Sequence, residues 1–293
     1  MNKKIFSENC NLSSYTTIKV GGVAEYFAEP RSIEEFSYLI KWANLNKQKC
    51  QIIGAGSNLL INNIYIKGLV ICTKKMKSLK IDPHLGIVEA EAGVMLPTLS
   101  NALAKNGLQG GEWAVGIPGT LGGAIYMNAG TGNISLAKNL ISVKVINNKT
   151  NEELQIEKKD ITFEYRFSSF QSNDLTIISA KLHFEPNGNL EQLIQTTKNN
   201  LKLKTETQPY HLPSFGSVFK NPENNYAAKL IDDMGLKGFK IGGAEISTMH
   251  SNFIINNSSA SSRDIYELIT VIQQKVLQKK RNLSTTGSKN DWF

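Results

Sequence analysis

Hydrophobic positions recur with two different spacings in the first part of the chain, and they predict short strands around one helix. The strands are predicted at residues 17–20, 25–28, 51–53 and 59–61. Ser32 and Glu35 are spaced as a capping box, which opens a helix. The apolar face of that helix contains Phe36, Leu39, Ile40 and Ala43. The order is therefore strand, helix, strand and then a glycine-containing loop at residues 54–58.

Beyond Gly68 the alternating segments become longer. They predict strands at residues 87–92, 141–146 and 175–184. A helix is predicted to begin near Pro97, and the later elements are helices at residues 190–204, 227–234 and 262–280 and a strand at 252–256. Pro209 and Pro213 exclude a helix interior between two of these helices, because proline lacks a backbone donor. We therefore place a domain boundary near residue 207.

Composition and charge narrow the class of protein. With 293 residues, 41% hydrophobic and 20% charged, the chain has the composition of a globular protein of about two domains. Its net charge of +8 suits an anionic ligand, a nucleic acid or a membrane surface. The sequence has no arginine-rich arm and no apolar run of signal-peptide or membrane-spanning length, so we expect a cytoplasmic protein that binds neither nucleic acid nor membrane. Three widely spaced cysteines predict neither a disulfide framework nor a metal site.

Two glycine-rich loops are the strongest candidates for ligand binding. Residues 116–130 contain five glycines around Pro118, which indicates a backbone that lies close either to another part of the protein or to a ligand. Residues 54–58 follow a predicted strand, where successive backbone amides can converge on an anion. The sixth position of a dinucleotide-binding Gly-x-Gly-x-x-Gly pattern is Leu59, so that fingerprint is not matched. The spacing of the glycines in these two loops therefore does not by itself predict which ligand they bind.

A series of motifs in these loops and beyond resembles a known enzyme family. The motifs are Gly-Ala-Gly-Ser-Asn-Leu-Leu from Gly54, Gly-Ile-Pro-Gly-Thr-Leu-Gly-Gly-Ala from Gly116, Met-Asn-Ala-Gly ending at Gly130, Tyr-Arg-Phe-Ser from Tyr165, Gly-Ser-Val-Phe-Lys-Asn-Pro from Gly216, Gly-Gly-Ala from Gly242, and His-x-Asn-Phe-Ile-Ile-Asn from His250. In this order, and over nearly the whole chain up to about residue 280, they resemble the UDP-N-acetylenolpyruvoylglucosamine reductases.

The resemblance implies an α+β fold with two domains. A two-part FAD-binding domain of the vanillyl-alcohol-oxidase type is expected at residues 1–206, with subdomains at about 1–72 and 73–206. A smaller α+β substrate-binding domain is expected at residues 207–293. The span between Phe184 and Ser217 is too short for the tyrosine-bearing loop of one subtype, so the chain resembles the subtype without it.

The resemblance also implies a cofactor and a reaction. FAD would be held without a covalent bond, NADPH would be the reductant, and UDP-N-acetylglucosamine enolpyruvate would be reduced to UDP-N-acetylmuramate for peptidoglycan and cell-wall growth. We expect a cytoplasmic monomer. The residues implied to bind FAD are Gly54, Ala55, Gly56, Ser57, Asn58, Gly116, Ile117, Pro118, Gly119, Thr120, Gly122, Gly123, Asn128 and Gly130.

Four further residues receive roles from the matching motifs. Arg166 would stabilise the negative charge that develops on the substrate, because its planar fork binds a carboxylate and stays charged. Ser217 would donate the proton to C2 of the substrate. Lys220 and Asn221 would lie beside the UDP-sugar. Without the motifs, each would be interpreted as an ordinary surface or turn residue.

One departure from the family leaves other interpretations open. The family carries a catalytic glutamate just after the C-terminal helix, whereas no glutamate follows Glu267 here and Asp291 lacks a matching context. A homologue with impaired reduction of the enolpyruvyl substrate, or a silent protein that binds FAD or a nucleotide sugar, is therefore one alternative. A different FAD oxidoreductase on the same fold is another. A serine hydrolase is excluded because the Gly-x-Ser-x-Gly elbow is absent.

Overall fold

The structure is a computed structural model that describes residues 5–61 and 64–284. The chain divides into two compact units. The first unit contains Val23–Gly56 and Tyr65–Leu203 together with the chain before Leu12. The second contains Leu12–Gly22, Ser57–Ile64 and the chain from Lys204 onward. Two early segments therefore belong with the C-terminal unit, although they lie far from it in sequence.

The first unit is built from two main sheets and a set of helices. Its strands, in chain order, are β1 (Phe6–Asn11), β2 (Val23–Ala28), β3 (Cys50–Ile53), β4 (Tyr65–Cys72), β5 (Leu79–Asp82), β6 (Ile87–Glu91), β7 (Gly130–Thr131), β8 (Ile134–Ser135), β9 (Leu140–Asn147), β10 (Glu153–Glu157), β11 (Phe163–Glu164), β12 (Phe167–Ser168) and β13 (Leu175–His183). Its helices are α1 (Ile33–Leu45), α2 (Leu96–Lys105), α3 (Leu121–Tyr126) and α4 (Leu190–Thr207), the last of which crosses the boundary between the units.

The first sheet has the order β1-β2-β4-β3, in which β2 and β3 both run parallel to β4. The Ser32 hydroxyl accepts the Glu35 N–H at 3.2 Å and caps α1. The predicted face of α1 is buried, and Phe36 and Ile40 pack with Leu69 of β4. The prediction of this helix and its apolar face is confirmed.

The second sheet is antiparallel, with the order β10-β9-β13-β6-β5. Its buried Val88, Val143 and Leu182 share one core with Leu99 of α2 and Ile125 of α3. The predicted strands at residues 87–92, 141–146 and 175–184 are confirmed to within a residue at each end. Apolar alternation was sufficient here because each strand has one face on this core.

The second unit contains a smaller antiparallel sheet. Its strands are β14 (Ser214–Ser217), β15 (Lys240–Ile241), β16 (Ala244–Ile246) and β17 (Phe253–Asn256), in the order β14-β17-β16-β15. Its helices are α5 (Ala227–Asp232) and α6 (Ser262–Ser284). The predicted helices and strand are confirmed, with three differences at their ends. Helix α5 ends two residues earlier than predicted, α6 ends four residues later, and β17 begins one residue later. No helix among the described residues combines the length and the apolar character needed to cross a membrane.

Two predicted strands are wrong, and several strands were not predicted. Residues 17–20 form a tight turn instead, in which the Thr16 hydroxyl donates to the Val20 carbonyl at 2.7 Å and Lys19 has φ 61°. Residues 59–61 have no regular secondary structure, and Leu60 packs on the core of the second unit. Among the strands that were not predicted is β4, which continues through Gly68. Ile18, Val20 and Leu60 belong to the core of the second unit, which explains the apolar character of the two runs that are not strands.

Candidate functional site

The first glycine loop follows β3 at the carboxyl end of a parallel pair of strands. Ligands of open α/β sheets bind at this edge. The start of the loop is held by the neighbouring β4 end, where the Thr73 hydroxyl donates to the Ile53 carbonyl at 3.3 Å and the Cys72 thiol donates to the Gly54 carbonyl at 3.5 Å. Gly56 has φ 65°, which glycine adopts without strain. The chain passes from the first unit to the second between Gly56 and Ser57.

The two glycine loops contact each other within the first unit. A Cβ on Gly54 would overlap the Oγ1 atom of Thr120. Thr120 is 1% exposed, and its hydroxyl accepts the Gly123 N–H at 3.5 Å, which caps α3. The loop at 54–56 and the loop at 116–120 therefore pack against each other and form one candidate binding site rather than two separate ones.

Close packing explains several of the glycines. A Cβ on Gly122 would lie 2.9 Å from the Cβ of Ala92, and one on Gly130 would overlap the Ile134 carbonyl. Gly122 also donates its N–H to the Ala92 carbonyl at 2.9 Å. The sequence left open whether these glycines serve packing or a ligand, and the structure shows the packing reason for Gly54, Gly122 and Gly130. Contact with a ligand stays a prediction for the whole set.

The segment after α3 holds the hairpin that carries Arg166. The Asn128 side chain donates to the Glu164 carbonyl at 2.8 Å, and the Arg166 guanidinium donates to the Gly130 carbonyl at 3.0 Å. Both acceptors and both donors belong to the first unit. The predicted catalytic arginine is therefore tied directly to the predicted cofactor-binding segment.

Two residues without a predicted role reinforce this attachment. The Ser168 hydroxyl and the Gln171 amide both donate to the Tyr126 carbonyl, at 2.7 and 2.8 Å. Gln171 also donates to the Arg166 carbonyl at 3.3 Å. Ser168 is the last residue of the Tyr-Arg-Phe-Ser motif, whereas Gln171 lies in none of the motifs. No role was predicted for either residue, because each acts through backbone groups that only the fold brings together.

Arg166 occupies a strained position at the tip of the hairpin between β11 and β12. Its φ is 57°, a region in which a residue with a side chain costs about 1–2 kcal/mol relative to ordinary backbone. The guanidinium carbon lies 4.9 Å from the centre of the Tyr165 ring, within cation–π range. Strained backbone of this kind is concentrated at functional sites, where surrounding contacts maintain it.

A bulge in β14 displaces the register at Ser217. Ser214 lies opposite Ile255 and Ser217 lies opposite Phe253, so three steps along β14 match two along β17. Gly216 sits inside the bulge with φ 80°, which is a favourable conformation only for glycine. Without the bulge, strict alternation would place Ser217 on the same face as Phe215.

The bulge therefore turns Ser217 toward solvent. Phe215 is 8% exposed and belongs to the core of the second unit, whereas Ser217 is exposed. Bulges next to active sites re-aim side chains in this way. The predicted proton donor thus occupies an accessible position that the strand pattern alone would have buried.

Lys220 and Asn221 lie on the exposed chain that follows Ser217. The Asn221 side-chain carbonyl accepts the Ala227 N–H at 3.1 Å, at the first residue of α5. Asn221 thereby links this chain to the helix. Ser57, Asn58, Ser217, Lys220 and Asn221 belong to the second unit, whereas the other predicted site residues belong to the first.

Burial shifts the pKa values of one histidine and two cysteines. It lowers the pKa of His250, and the charges of Lys204 and Lys237 act in the same direction. The Asn252 N–H donates to Nδ1 of His250 at 3.3 Å, which suits a neutral ring.

Burial raises the pKa of the Cys50 thiol to about 12 and raises that of Cys72 as well. These two thiols are therefore poor nucleophiles.

Two family models match this chain. The FAD binding domain matches residues 24–154. The C-terminal domain of UDP-N-acetylenolpyruvoylglucosamine reductase matches residues 208–282. The UDP-N-acetylenolpyruvoylglucosamine reductase of Prochlorococcus marinus subsp. pastoris is 73% identical over 275 residues, which cover 94% of this chain and 93% of that protein. The chain belongs to the UDP-N-acetylenolpyruvoylglucosamine reductase family.

Other members support this assignment over the full length. The enzyme of the same name from Prochlorococcus marinus strain NATL2A is 46% identical over 293 residues and covers 100% of both chains. The crystal structure of the family member from Thermus caldophilus matches with a TM-score of 0.79 at 30% identity, over 92% of this chain and 95% of that one. The predicted family and the predicted α+β class, with an FAD-binding domain and a family-specific C-terminal domain, are confirmed.

The residues of the first unit fit the cofactor of this family. Asn128 is 7% exposed and has φ 43°, and its Oδ1 atom is buried without a hydrogen-bond partner among the described residues. A buried acceptor left unpaired costs about 1–3 kcal/mol, so its position favours a donor from a bound group. The isoalloxazine ring of FAD carries such an N–H.

The C-terminal position of the family glutamate, with Asp291, lies outside the described residues.

Proposed function

We propose that this chain reduces UDP-N-acetylglucosamine enolpyruvate to UDP-N-acetylmuramate, with FAD as the bound cofactor and NADPH as the reductant. The observation that carries the proposal is the hydrogen bond from Arg166 to Gly130, which fixes a cationic fork on the segment predicted to hold the cofactor. A cytoplasmic monomer that serves cell-wall growth and cell division is part of the same proposal.

FAD would be held mainly by backbone. The residues involved are those of the two packed glycine loops, with Asn128 and Gly130 on the segment after α3. Their amides suit a pyrophosphate, because buried N–H groups stabilise negative charge without a counter-ion. When bound, FAD supplies the acceptance and transfer of a hydride. Every other step falls to the side chains of this chain and to the substrate itself.

Arg166 would bind the carboxylate of the enolpyruvyl group. Its guanidinium stays charged throughout and offers a planar set of N–H donors, of which one is already directed to Gly130. Hydride addition at C3 of the substrate leaves negative charge that spreads into this carboxylate. A fixed cation at that place stabilises the charge as it develops, which is the form of electrostatic stabilisation that lowers a barrier most.

Ser217 would then deliver the proton to C2. A free hydroxyl is a weak acid, so the step depends on the basicity of the substrate carbanion and on accurate placement of the hydroxyl. The bulge at Gly216 makes that hydroxyl accessible. Lys220 and Asn221, on the chain that follows, would contact the UDP-sugar.

Separate measurement of the two half-reactions tests the proposal. NADPH should bleach the flavin absorbance of the purified FAD-loaded protein under anaerobic conditions. UDP-N-acetylglucosamine enolpyruvate should then restore it with formation of UDP-N-acetylmuramate. Failure of this substrate to reoxidise the reduced protein would overturn the proposal. The rate of the second step also distinguishes an active enzyme from a homologue in which reduction of the enolpyruvyl substrate is impaired.

The variant Ser217→Ala sharpens the test. We expect it to slow reoxidation by about 100-fold or more, because a general acid typically contributes that much, and to leave reduction by NADPH unchanged. Ser214→Ala is the matched control, since Ser214 lies at the other end of β14. Equal loss of both half-reactions in Ser217→Ala would show a structural defect rather than a lost proton donor.

A further inference from the structure

Asn252 makes a peptide-like pair of hydrogen bonds with the chain just after Ser217. Its Oδ1 atom accepts the Phe219 N–H at 2.9 Å, and its Nδ2 atom donates to the Phe219 carbonyl at 2.9 Å. This is the donor and acceptor pattern by which one strand residue pairs with another in an antiparallel ladder. The side chain therefore continues the pairing of β14 beyond its last residue.

The backbone of Asn252 adds a third contact. Its carbonyl accepts the Val218 N–H at 2.9 Å, and the next residue, Phe253, is the ladder partner of Ser217. Asn252 is 4% exposed, so its amide has no water to replace these partners. The two residues after Ser217 are thus fixed to one buried side chain and its backbone.

Ser217 consequently has a different constraint on each side. The bulge at Gly216 turns its side chain outward, and the contacts of Asn252 fix the backbone that follows. Proton transfer depends strongly on distance, and a shift of about 1 Å in a reacting group costs on the order of 100-fold in rate. A flexible backbone after residue 217 would permit shifts of that size.

We propose that Asn252 is a positioning residue for proton donation by Ser217, and this rests on the proposed function. Only a carboxamide supplies a donor and an acceptor in one plane to both polar groups of Phe219. Aspartate offers acceptors alone, and one of them would face the Phe219 carbonyl. Alanine leaves the half-buried N–H and carbonyl of Phe219 without these partners. His250-x-Asn252 is one of the motifs of this sequence, but no role followed from it.

The variants Asn252→Ala and Asn252→Asp test this inference in the FAD-loaded enzyme. We expect reoxidation by the enolpyruvyl substrate to fall by about 100-fold, with a KM changed by less than about threefold. Reduction by NADPH should be unchanged. The solvent deuterium isotope effect on reoxidation should rise, because proton transfer becomes the slow step. Exchange of the Phe219 amide should accelerate in Asn252→Ala, which removes the acceptor of its N–H.

Asn256→Ala is the matched control, because Asn256 is the last residue of β17 and Asn252 directly precedes that strand. The Asn256 side chain also makes two hydrogen bonds to backbone, to the Ile18 carbonyl at 3.0 Å and from the Ala260 N–H at 2.8 Å. It makes neither of them to residues 217–219. We expect Asn256→Ala to lower stability while it keeps reoxidation within about threefold of the native rate.

The outcomes separate this inference from the proposed function. Native turnover together with near-native reoxidation in Asn252→Ala would overturn the role of Asn252 alone. Equal losses in both half-reactions, or equal effects of Asn252→Ala and Asn256→Ala, would show a general structural role and would also overturn it. Absence of product from the native enzyme would overturn the proposed function and this inference with it.

Discussion

The Arg166 guanidinium donates a 3.0 Å hydrogen bond to the Gly130 carbonyl. This bond joins a charged side chain, at the tip of the hairpin between β11 and β12, to Gly130. A Cβ added to Gly130 would overlap the Ile134 carbonyl. Asn128 supports the same hairpin through the Glu164 carbonyl at 2.8 Å. The arginine is consequently held by the glycine segment itself, so the proposed cofactor binding and the proposed charge stabilisation would depend on the same stretch of backbone.

Arg166→Lys should separate charge from geometry at this position. Lysine keeps the positive charge but has no planar fork, so it cannot hold Gly130 and a carboxylate with one rigid group. We expect reoxidation of the reduced enzyme by the enolpyruvyl substrate to slow by about 100-fold. Stopped-flow absorbance of the FAD-loaded variant checks this. Reoxidation at the native rate would remove Arg166 from the proposed mechanism, and bound FAD per chain serves as the control for folding.

Gly54→Ala and Thr120→Ala should show strong coupling. The added Cβ at position 54 overlaps Oγ1 of Thr120, and overpacking of this kind costs about 1–3 kcal/mol in the free energy of unfolding. Thr120→Ala alone should cost about 1 kcal/mol as a lost helix cap. In the double variant only the Thr120 Cβ, at 3.5 Å, remains near the new methyl group, so its stability should equal that of Thr120→Ala.

Urea unfolding of the four proteins at saturating FAD checks this coupling. Additive losses in the double variant would contradict the packing of the two glycine loops, because independent sites add and contacting sites do not.

Stability should fall as the pH is lowered through the range in which His250 titrates. Its pKa in the folded protein lies below the ordinary value of 6.5, so the unfolded chain takes up the proton first. The contribution is therefore present above pH 6.5 and is lost as the pH falls toward the folded-state pKa. Urea unfolding of the native protein and of His250→Gln, from about pH 8 to about pH 5, measures the difference.

In His250→Gln this part of the pH dependence should disappear. His84→Gln, which changes an exposed histidine, is the control and should keep the native profile. A native profile that does not decline below pH 6.5 relative to His250→Gln would contradict the burial of a neutral ring at position 250.

The half-buried Cys50 thiol and the buried Cys72 thiol should be unreactive in the folded protein. Burial raises the pKa of Cys50 to about 12 from 9.0, which lowers its thiolate fraction roughly 1,000-fold near neutral pH. We expect a thiol-specific disulfide reagent at about pH 8 to label Cys50 only after unfolding in urea. Mass spectrometry of the labelled peptides identifies the site. Rapid labelling of Cys50 in the native protein would contradict its burial.

The sequence was most informative where local pattern and packing agree. The capping box at Ser32 and the apolar face of α1 were predicted fully, because the cap and the 3.6-residue period are local. The three central strands of the second sheet, β6, β9 and β13, were predicted because one face of each lies on the core, whereas the outer strands β5 and β10 were not predicted. The pattern was misleading at residues 17–20. These residues form a turn rather than a strand, and the side chains of Ile18 and Val20 are buried in the core of the second unit.

The family, the two glycine loops and the choice of Arg166 and Ser217 as candidate catalytic residues could be predicted from the sequence, because they lie in contiguous motifs. The contacts that hold these residues in place are visible only in the folded chain. Three contacts join residues that lie between 33 and 66 positions apart in the sequence. They are the close approach of Gly54 to Thr120, the hydrogen bond from Arg166 to Gly130, and the paired hydrogen bonds of Asn252 with Phe219. Contacts at such separations depend on the path of the whole chain, which no local pattern encodes.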